Sequence, residues 1–287
     1  MRLQLPLALA ALALLTGCAA TPPHHPAMPV AAANDNLDAV AWAQTAIEHD
    51  LIYLQTYRDA QSRLLAALHD PRWDALTKED RAVPATGLPP AVVLDIDETV
   101  LDNSPYQARL VKSGGQYDEA SWAAWCKEER ARAMPGALAF TQFAAEHGIA
   151  VIYLSNRAQD LDTATLANLR RLGFPVSGPE AFLGLGTVLP GCEQVGTEKG
   201  CRRQLVGRKY RVLMQFGDQL GDFVDVVANT VAGRKQAITG YRGWVGTRWF
   251  VLPNPTYGAW EPALFNNDWS APPAQRRQQK LDALRFN

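Results

Sequence analysis

Ala91-Val92-Val93-Leu94-Asp95-Ile96-Asp97-Glu98-Thr99 runs from an unbroken apolar stretch straight into carboxylates. The stretch does not alternate and is rich in β-branched residues. That pattern predicts a strand buried on both faces, as in a parallel sheet, delivering Asp95 at its carboxyl end. Three further runs have this character. Ile149 to Leu154 ends at Ser155, Tyr210 to Phe216 ends at Gly217-Asp218, and Trp249 to Leu252 is the last. Helical spacing lies between them, at 136–147 and at 160–172, the latter stopped by Gly173. Repeated strand and helix predict an α/β fold with a parallel sheet. Ligands of such sheets bind beyond the carboxyl ends of the strands.

Upstream, Leu37, Val40, Ala41, Ala43, Ile47, Leu51 and Leu54 recur at helical spacing. They predict an amphipathic helix or helix pair over 37–70, ended by Pro71, and Pro84, Pro89 and Pro90 mark a linker before the core begins at 91. The segment between the first two strands is too long for one crossover. Its aromatic stretch from Tyr117 to Trp125 predicts a small, mainly helical cap at about 103–135.

Two carboxylates two residues apart beyond a buried strand need partners. A cation between Asp95 and Asp97 is the natural one, and hard oxygen ligands select magnesium over zinc. An Asp-x-Asp pair also occurs in surface turns, so the other strand ends matter. Ser155-Asn156-Arg157 follows the second strand and can hydrogen-bond a phosphate or cap the next helix. Arg157 reads as structural. Asp218 and Asp222 follow the third strand. Lys199 is a candidate counter-charge, with Lys209 as the alternative.

These segments resemble the four motifs of the haloacid dehalogenase superfamily, in the same order. The resemblance is closer still to the class C acid phosphatases and 5'-nucleotidases, the lipoprotein-type bacterial phosphatases. It is carried by Val93 to Tyr106, Leu154-Ser155-Asn156-Arg157, Gly217-Asp218-Gln219-Leu220-Gly221-Asp222-Phe223, and Leu252-Pro253-Asn254-Pro255-Thr256-Tyr257-Gly258-Ala259-Trp260. It implies a Rossmann-like, haloacid dehalogenase-like core. It also implies a magnesium-dependent acid phosphatase acting on small phosphate monoesters, nucleoside monophosphates among them. Asp95 would attack phosphorus to give an aspartyl phosphate, and Asp97 would protonate the leaving alkoxide and then assist water. Magnesium would be held by Asp95, the Asp97 backbone carbonyl, Asp218 and Asp222. Ser155 and Lys199 would stabilise the transferring charge. Asn156, Trp122, Tyr257 and Tyr117 would bind substrate, the aromatics receiving a flat group; the alternative for Trp122 is the core of the cap. Other readings are a dehalogenase or phosphonate hydrolase on the same scaffold, a phosphatase without nucleotide preference, and a non-catalytic surface lipoprotein. Asp97 argues against a dehalogenase, which has no leaving alkoxide to protonate.

The amino terminus reads as a secretion signal over 1–17: a basic start, then an apolar run too short to span a bilayer. Leu15-Thr16-Gly17-Cys18 resembles the lipobox of bacterial lipoproteins, which implies lipidation of Cys18 and a place on the cell envelope, at the outer membrane. Residues 18–36 read as a flexible tether, with His24 and His25 as solvated linker residues. A net charge of −1 without a basic run offers no surface to a nucleic-acid polymer. Of the four cysteines, Cys192 and Cys201 are expected to bridge in an oxidising compartment, leaving Cys126 as a buried thiol.

Overall fold

The structure is a computed structural model that describes residues 34–286. The expectations for the secretion signal, Cys18, His24 and His25 fall on residues 1–33, outside the described residues. Helices α1 (Leu37–Thr45) and α2 (Ile47–His69) come first, broken at an extended Ala46. Next are β1 (Pro90–Leu94), β2 (Leu101–Asp102), α3 (Ser104–Ser113), α4 (Glu119–Lys127) and β3 (Arg132–Ala133). The middle of the chain forms α5 (Ala137–Glu146), β4 (Ala150–Ala158), α6 (Asp162–Leu172) and β5 (Phe182–Leu185). It closes with α7 (Gly200–Lys209), β6 (Arg211–Gly217), α8 (Val231–Ala237), β7 (Trp249–Val251) and α9 (Pro273–Asp282).

Five strands form one parallel sheet in the order β5-β4-β1-β6-β7. Successive side chains of β1 face opposite ways. Val92 and Leu94 therefore join the larger core cluster, with Tyr57, Phe140 and Phe216, while Ala91 and Val93 join a smaller one with Leu76, Ile152 and Val206. The unalternating apolar pattern follows from cover on both faces. On the first face α2 buries Tyr53, Tyr57, Ala60, Leu64 and Ala67, a helical stripe, and Tyr57 stacks on Phe216 at 5.2 Å. The last carbonyls of α2 have no partner within the helix. Arg211 at the start of β6 supplies one, donating to the carbonyls of Ala67 (3.2 Å), Leu68 (2.8 Å) and Asp70 (2.9 Å).

The cap leaves and rejoins the core through the antiparallel pair β2–β3 (Leu101 opposite Ala133). It holds α3 and α4, beside the carboxyl end of β1. Edge strand β5, a second sheet partner for β4, was not among the expected strands.

Candidate active site

β1 ends one residue before Asp95, whose N–H donates to the Phe216 carbonyl of β6 at 2.9 Å. That bond holds the start of the following turn in the sheet. The turn then closes on Ile96, whose carbonyl accepts from the Val100 and Leu101 N–H groups, each at 2.9 Å. Asp95 and Asp97 thus leave the same strand end with different surroundings.

Asp95 is 7 % exposed and Lys199 3 %. The Lys199 ammonium donates to Oδ1 of Asp95 at 2.5 Å and to the Leu154 carbonyl at 2.8 Å, and pairs with Oδ1 of Asp222 at 2.7 Å. Lys199 sits at the amino-terminal cap of α7 and Lys209 at its far, exposed end, so the helix presents Lys199 to the site. Beyond β6, the Asp222 carboxylate folds back to accept from the Gln219 N–H at 2.8 Å. A Cβ at Gly217 would lie 2.1 Å from Asp222 Oδ2, so only glycine fits there. Asp218 Oδ2 accepts from Gln219 Nε2 (2.7 Å) and Asn254 Nδ2 (2.8 Å).

Carboxylate oxygens of Asp95, Asp218 and Asp222 lie within 4.8 Å of one another. The Lys199 ammonium pairs directly with two of the three, Asp95 and Asp222. Burial holds the Asp95 carboxyl well above the usual range, Lys199 opposing only part of that effect. Burial and then the Asp222 charge push Asp218 up to about 7. A hard divalent cation answers this excess of negative oxygen, and the all-oxygen donor set fits one.

The Asp97 side chain stands apart from that trio. Its Oδ1 accepts from Arg157 Nε (2.9 Å) and Asn103 Nδ2 (2.8 Å), and its Oδ2 from Ser155 Oγ (3.3 Å). Arg157, read from the sequence as structural, is a buried partner of Asp97. Asn103 was not singled out, although it lies inside the first motif. Asn254 and Gln219, which hold Asp218, and Arg202 were also missed. Arg202 donates to the Ser155 carbonyl (2.5 Å), the Glu198 carbonyl (3.1 Å) and Asn156 Oδ1 (2.7 Å), tying the end of β4 to the Lys199 loop. Asn156 was expected on substrate. It is exposed, and its side-chain carbonyl is taken by Arg202.

The three aromatics expected on substrate have different surroundings. Trp122 is 9 % exposed, with the Tyr106 ring set against it at 5.1 Å and the Arg157 guanidinium over its face at 5.5 Å. It is core of the cap, the alternative the sequence left open. Tyr257 is half-buried and spends its hydroxyl on the Glu98 carboxylate. Tyr117 is 54 % exposed and is the open member of the cap's aromatic group. The Cys192–Cys201 bridge is present, and Cys126 is a buried thiol whose pKa burial pushes up to about 12.

A family model described as HAD superfamily, subfamily IIIB (acid phosphatase) matches residues 26–260. A class C acid phosphatase from Bacillus anthracis, solved with tungstate bound, is similar in structure. Its TM-score is 0.75 at 34 % identity, covering 88 % of this chain and 97 % of that one. A second structure of that enzyme agrees equally well. Among plant proteins, a stem 31 kDa glycoprotein of Glycine max is 26 % identical over 165 residues. Vegetative storage protein 1 of Arabidopsis thaliana is 27 % identical over 168 residues. The chain spans 58 % of the length of the first and 54 % of the second. The parallel sheet, the strand-end aspartates and the breadth of these matches agree: the chain belongs to the acid phosphatase subfamily, IIIB, of the haloacid dehalogenase superfamily.

Proposed function

We propose that this chain is a magnesium-dependent acid phosphatase that hydrolyses phosphate monoesters, nucleoside monophosphates among them, through an aspartyl phosphate on Asp95. The observation that carries the reading is the convergence of Asp95, Asp218, Asp222 and Lys199 at one sheet edge, with Asp97 held beside them but outside the trio. The tungstate of the Bacillus anthracis relative, a tetrahedral oxyanion like phosphate, supports it.

The Asp95 carboxylate attacks phosphorus; a P–O bond forms to Asp95 while the bond to the leaving alkoxide breaks. The alkoxide takes a proton from Asp97. Because Oδ1 of Asp97 already accepts from Arg157 and Asn103, that proton belongs on Oδ2, the oxygen facing Ser155. Once the alcohol leaves, Asp97 takes a proton back from the water that attacks the aspartyl phosphate. Lys199 favours the ionised form of Asp95 and, with the Ser155 hydroxyl, faces the charge of the transferring group. A magnesium ion held by Asp95, Asp218 and Asp222 would neutralise negative charge shared between these carboxylates and the phosphoryl oxygens.

The test is hydrolysis of p-nitrophenyl phosphate, adenosine monophosphate and glycerol phosphate by purified protein, with magnesium, with chelator, and with Asp95→Asn. We expect activity that chelation silences and magnesium restores, and a loss in Asp95→Asn of about a thousandfold or more. Substantial turnover by the folded Asp95→Asn protein would refute the nucleophile, and full activity after exhaustive chelation would remove the metal. The Leu15-Thr16-Gly17-Cys18 segment supports a lipid anchor in the cell envelope, at the outer membrane. Cys18→Ser should then move the protein from the membrane fraction to the soluble one, and unchanged fractionation would reject the anchor.

A further inference from the structure

Glu98 lies between the carboxylate chemistry of Asp97 and the last motif, and the mechanism above gives it no role. Its backbone is left-handed, at φ 53°, a region that a residue with a Cβ rarely adopts. Every polar group of this buried residue is engaged. The N–H donates to the Leu101 carbonyl at 2.9 Å. The carbonyl accepts from the Tyr53 hydroxyl, brought in by α2. One carboxylate oxygen accepts from the Asn103 N–H at 2.7 Å, and the other from the Tyr257 hydroxyl.

Asn103 carries the arrangement on to Asp97. Its side-chain oxygen accepts from Trp125 Nε1 at 2.8 Å and Arg157 Nη2 at 3.3 Å. That fixes the amide orientation, because the oxygen must face those donors. The amide nitrogen is therefore directed at Asp97 Oδ1, 2.8 Å away.

We propose that Tyr257 and Glu98 are positioning residues for the acid–base Asp97, acting through Asn103. The Tyr257 hydroxyl fixes the Glu98 carboxylate. The carboxylate fixes the Asn103 backbone, and the Asn103 amide holds Oδ1 of Asp97 so that Oδ2 carries the transferred proton. The last motif thus contributes a hydroxyl to the first, beyond any contact of its ring with substrate. The proposal rests on the reading of Asp97 as general acid and assigns it a support.

Leaving-group dependence tests it. A p-nitrophenolate departs as a stable anion and needs little protonation; the alkoxide of glycerol phosphate needs a proton. The measured quantity is kcat/KM, which stops at phosphoryl transfer to Asp95 and leaves out hydrolysis of the intermediate. Asp97→Asn should lose about a hundredfold or more on glycerol phosphate and far less on p-nitrophenyl phosphate. Tyr257→Phe, which removes one oxygen and keeps the ring, should show the same selective pattern at about tenfold on glycerol phosphate. Asn103→Ala should resemble it, and the double variant should lose no more than Asn103→Ala alone, because the two act in one chain. Equal loss on both substrates in Tyr257→Phe, or a rise in KM confined to nucleoside monophosphates, would overturn the proposal. So would additive losses in the double variant. If Asp97→Asn itself shows no leaving-group selectivity while Asp95→Asn is dead, the general-acid reading falls and takes this inference with it. If Asp97→Asn is selective and Tyr257→Phe is not, only the positioning role falls. Should Asn103→Ala fail to fold, the Tyr257→Phe comparison decides.

Discussion

Tyr117 and Trp122 are five residues apart in the cap and meet different surroundings. Trp122 is enclosed by Tyr106 and the Arg157 guanidinium, whereas Tyr117 is open to solvent. Trp122→Ala should therefore lower folding stability by about 3–5 kcal/mol, as truncation of a core tryptophan does. It should raise KM alike for adenosine monophosphate and glycerol phosphate. Tyr117→Ala should leave stability within about 0.5 kcal/mol and raise KM for adenosine monophosphate alone, by about tenfold, the size of a lost base–aromatic stack. Urea unfolding and the two KM values check both variants; a nucleotide-selective KM rise in Trp122→Ala would restore it as a stacking face. The same contrast shows what a sequence can reveal of a site. Asp95, Ser155, Asp218 and Asp222 were legible because each stands at or just beyond the end of an apolar run. Arg157, Asn103 and Asn254 act through hydrogen bonds across the fold, such as Asn254 to Asp218 at 2.8 Å. Sequence spacing does not encode such pairs, so these residues emerge only with the fold.

At the scale of elements, the segment between β5 and α7 has the most to hold in place. It delivers Lys199 to Asp95 without a strand of its own. Among its attachments are Arg202 on the Glu198 carbonyl, the Val226 N–H on the Glu198 carboxylate at 3.2 Å, and the Cys192–Cys201 bridge closing a separation of nine residues. In the chain-entropy model a loop of this size contributes roughly 2–3 kcal/mol. The paired change Cys192→Ser and Cys201→Ser should lower the urea-unfolding free energy by that amount. A loss below about 0.5 kcal/mol would show that the polar attachments suffice without the bridge. The elements themselves were unevenly legible. β1, β4, β6 and β7 have apolar runs, and α6 has Gly173 in the left-handed conformation at its end. β5 is only Phe-Leu-Gly-Leu on the sheet edge. Four residues with a glycine carry little strand signal, and its place is set by pairing with β4, Leu154 opposite Leu183. α9 is polar, with no buried residue, so no apolar stripe announced it.

At the scale of the molecule, the five-stranded sheet gathers like charges at one edge, and that has a cost for folding. Asp95, Asp218 and Asp222 are brought together with Lys199 paired to Asp95 and Asp222, and burial resists charge on Asp95 and Asp218. The unfolded chain separates and hydrates these groups, so their proximity destabilises the metal-free fold. A cation bound by all three is bound by the folded state alone, and such binding adds stability by mass action, about 2.7 kcal/mol at a hundred times its dissociation constant. For a domain of this size that is a rise in Tm of roughly 5–10 °C. Magnesium chloride should produce it where potassium chloride at equal ionic strength does not, since screening alone acts weakly on buried pairs. Asp218→Asn separates the two effects. It removes one partly buried negative charge and keeps the side-chain volume, so the metal-free variant should melt at or above the metal-free wild type. It also removes a ligand, so its magnesium-induced rise should largely vanish. A thermal melt of both proteins in both salts gives the four values needed. An unchanged wild-type Tm in saturating magnesium would mean that these carboxylates do not hold the ion. An equal rise in Asp218→Asn would place the ion elsewhere in the molecule.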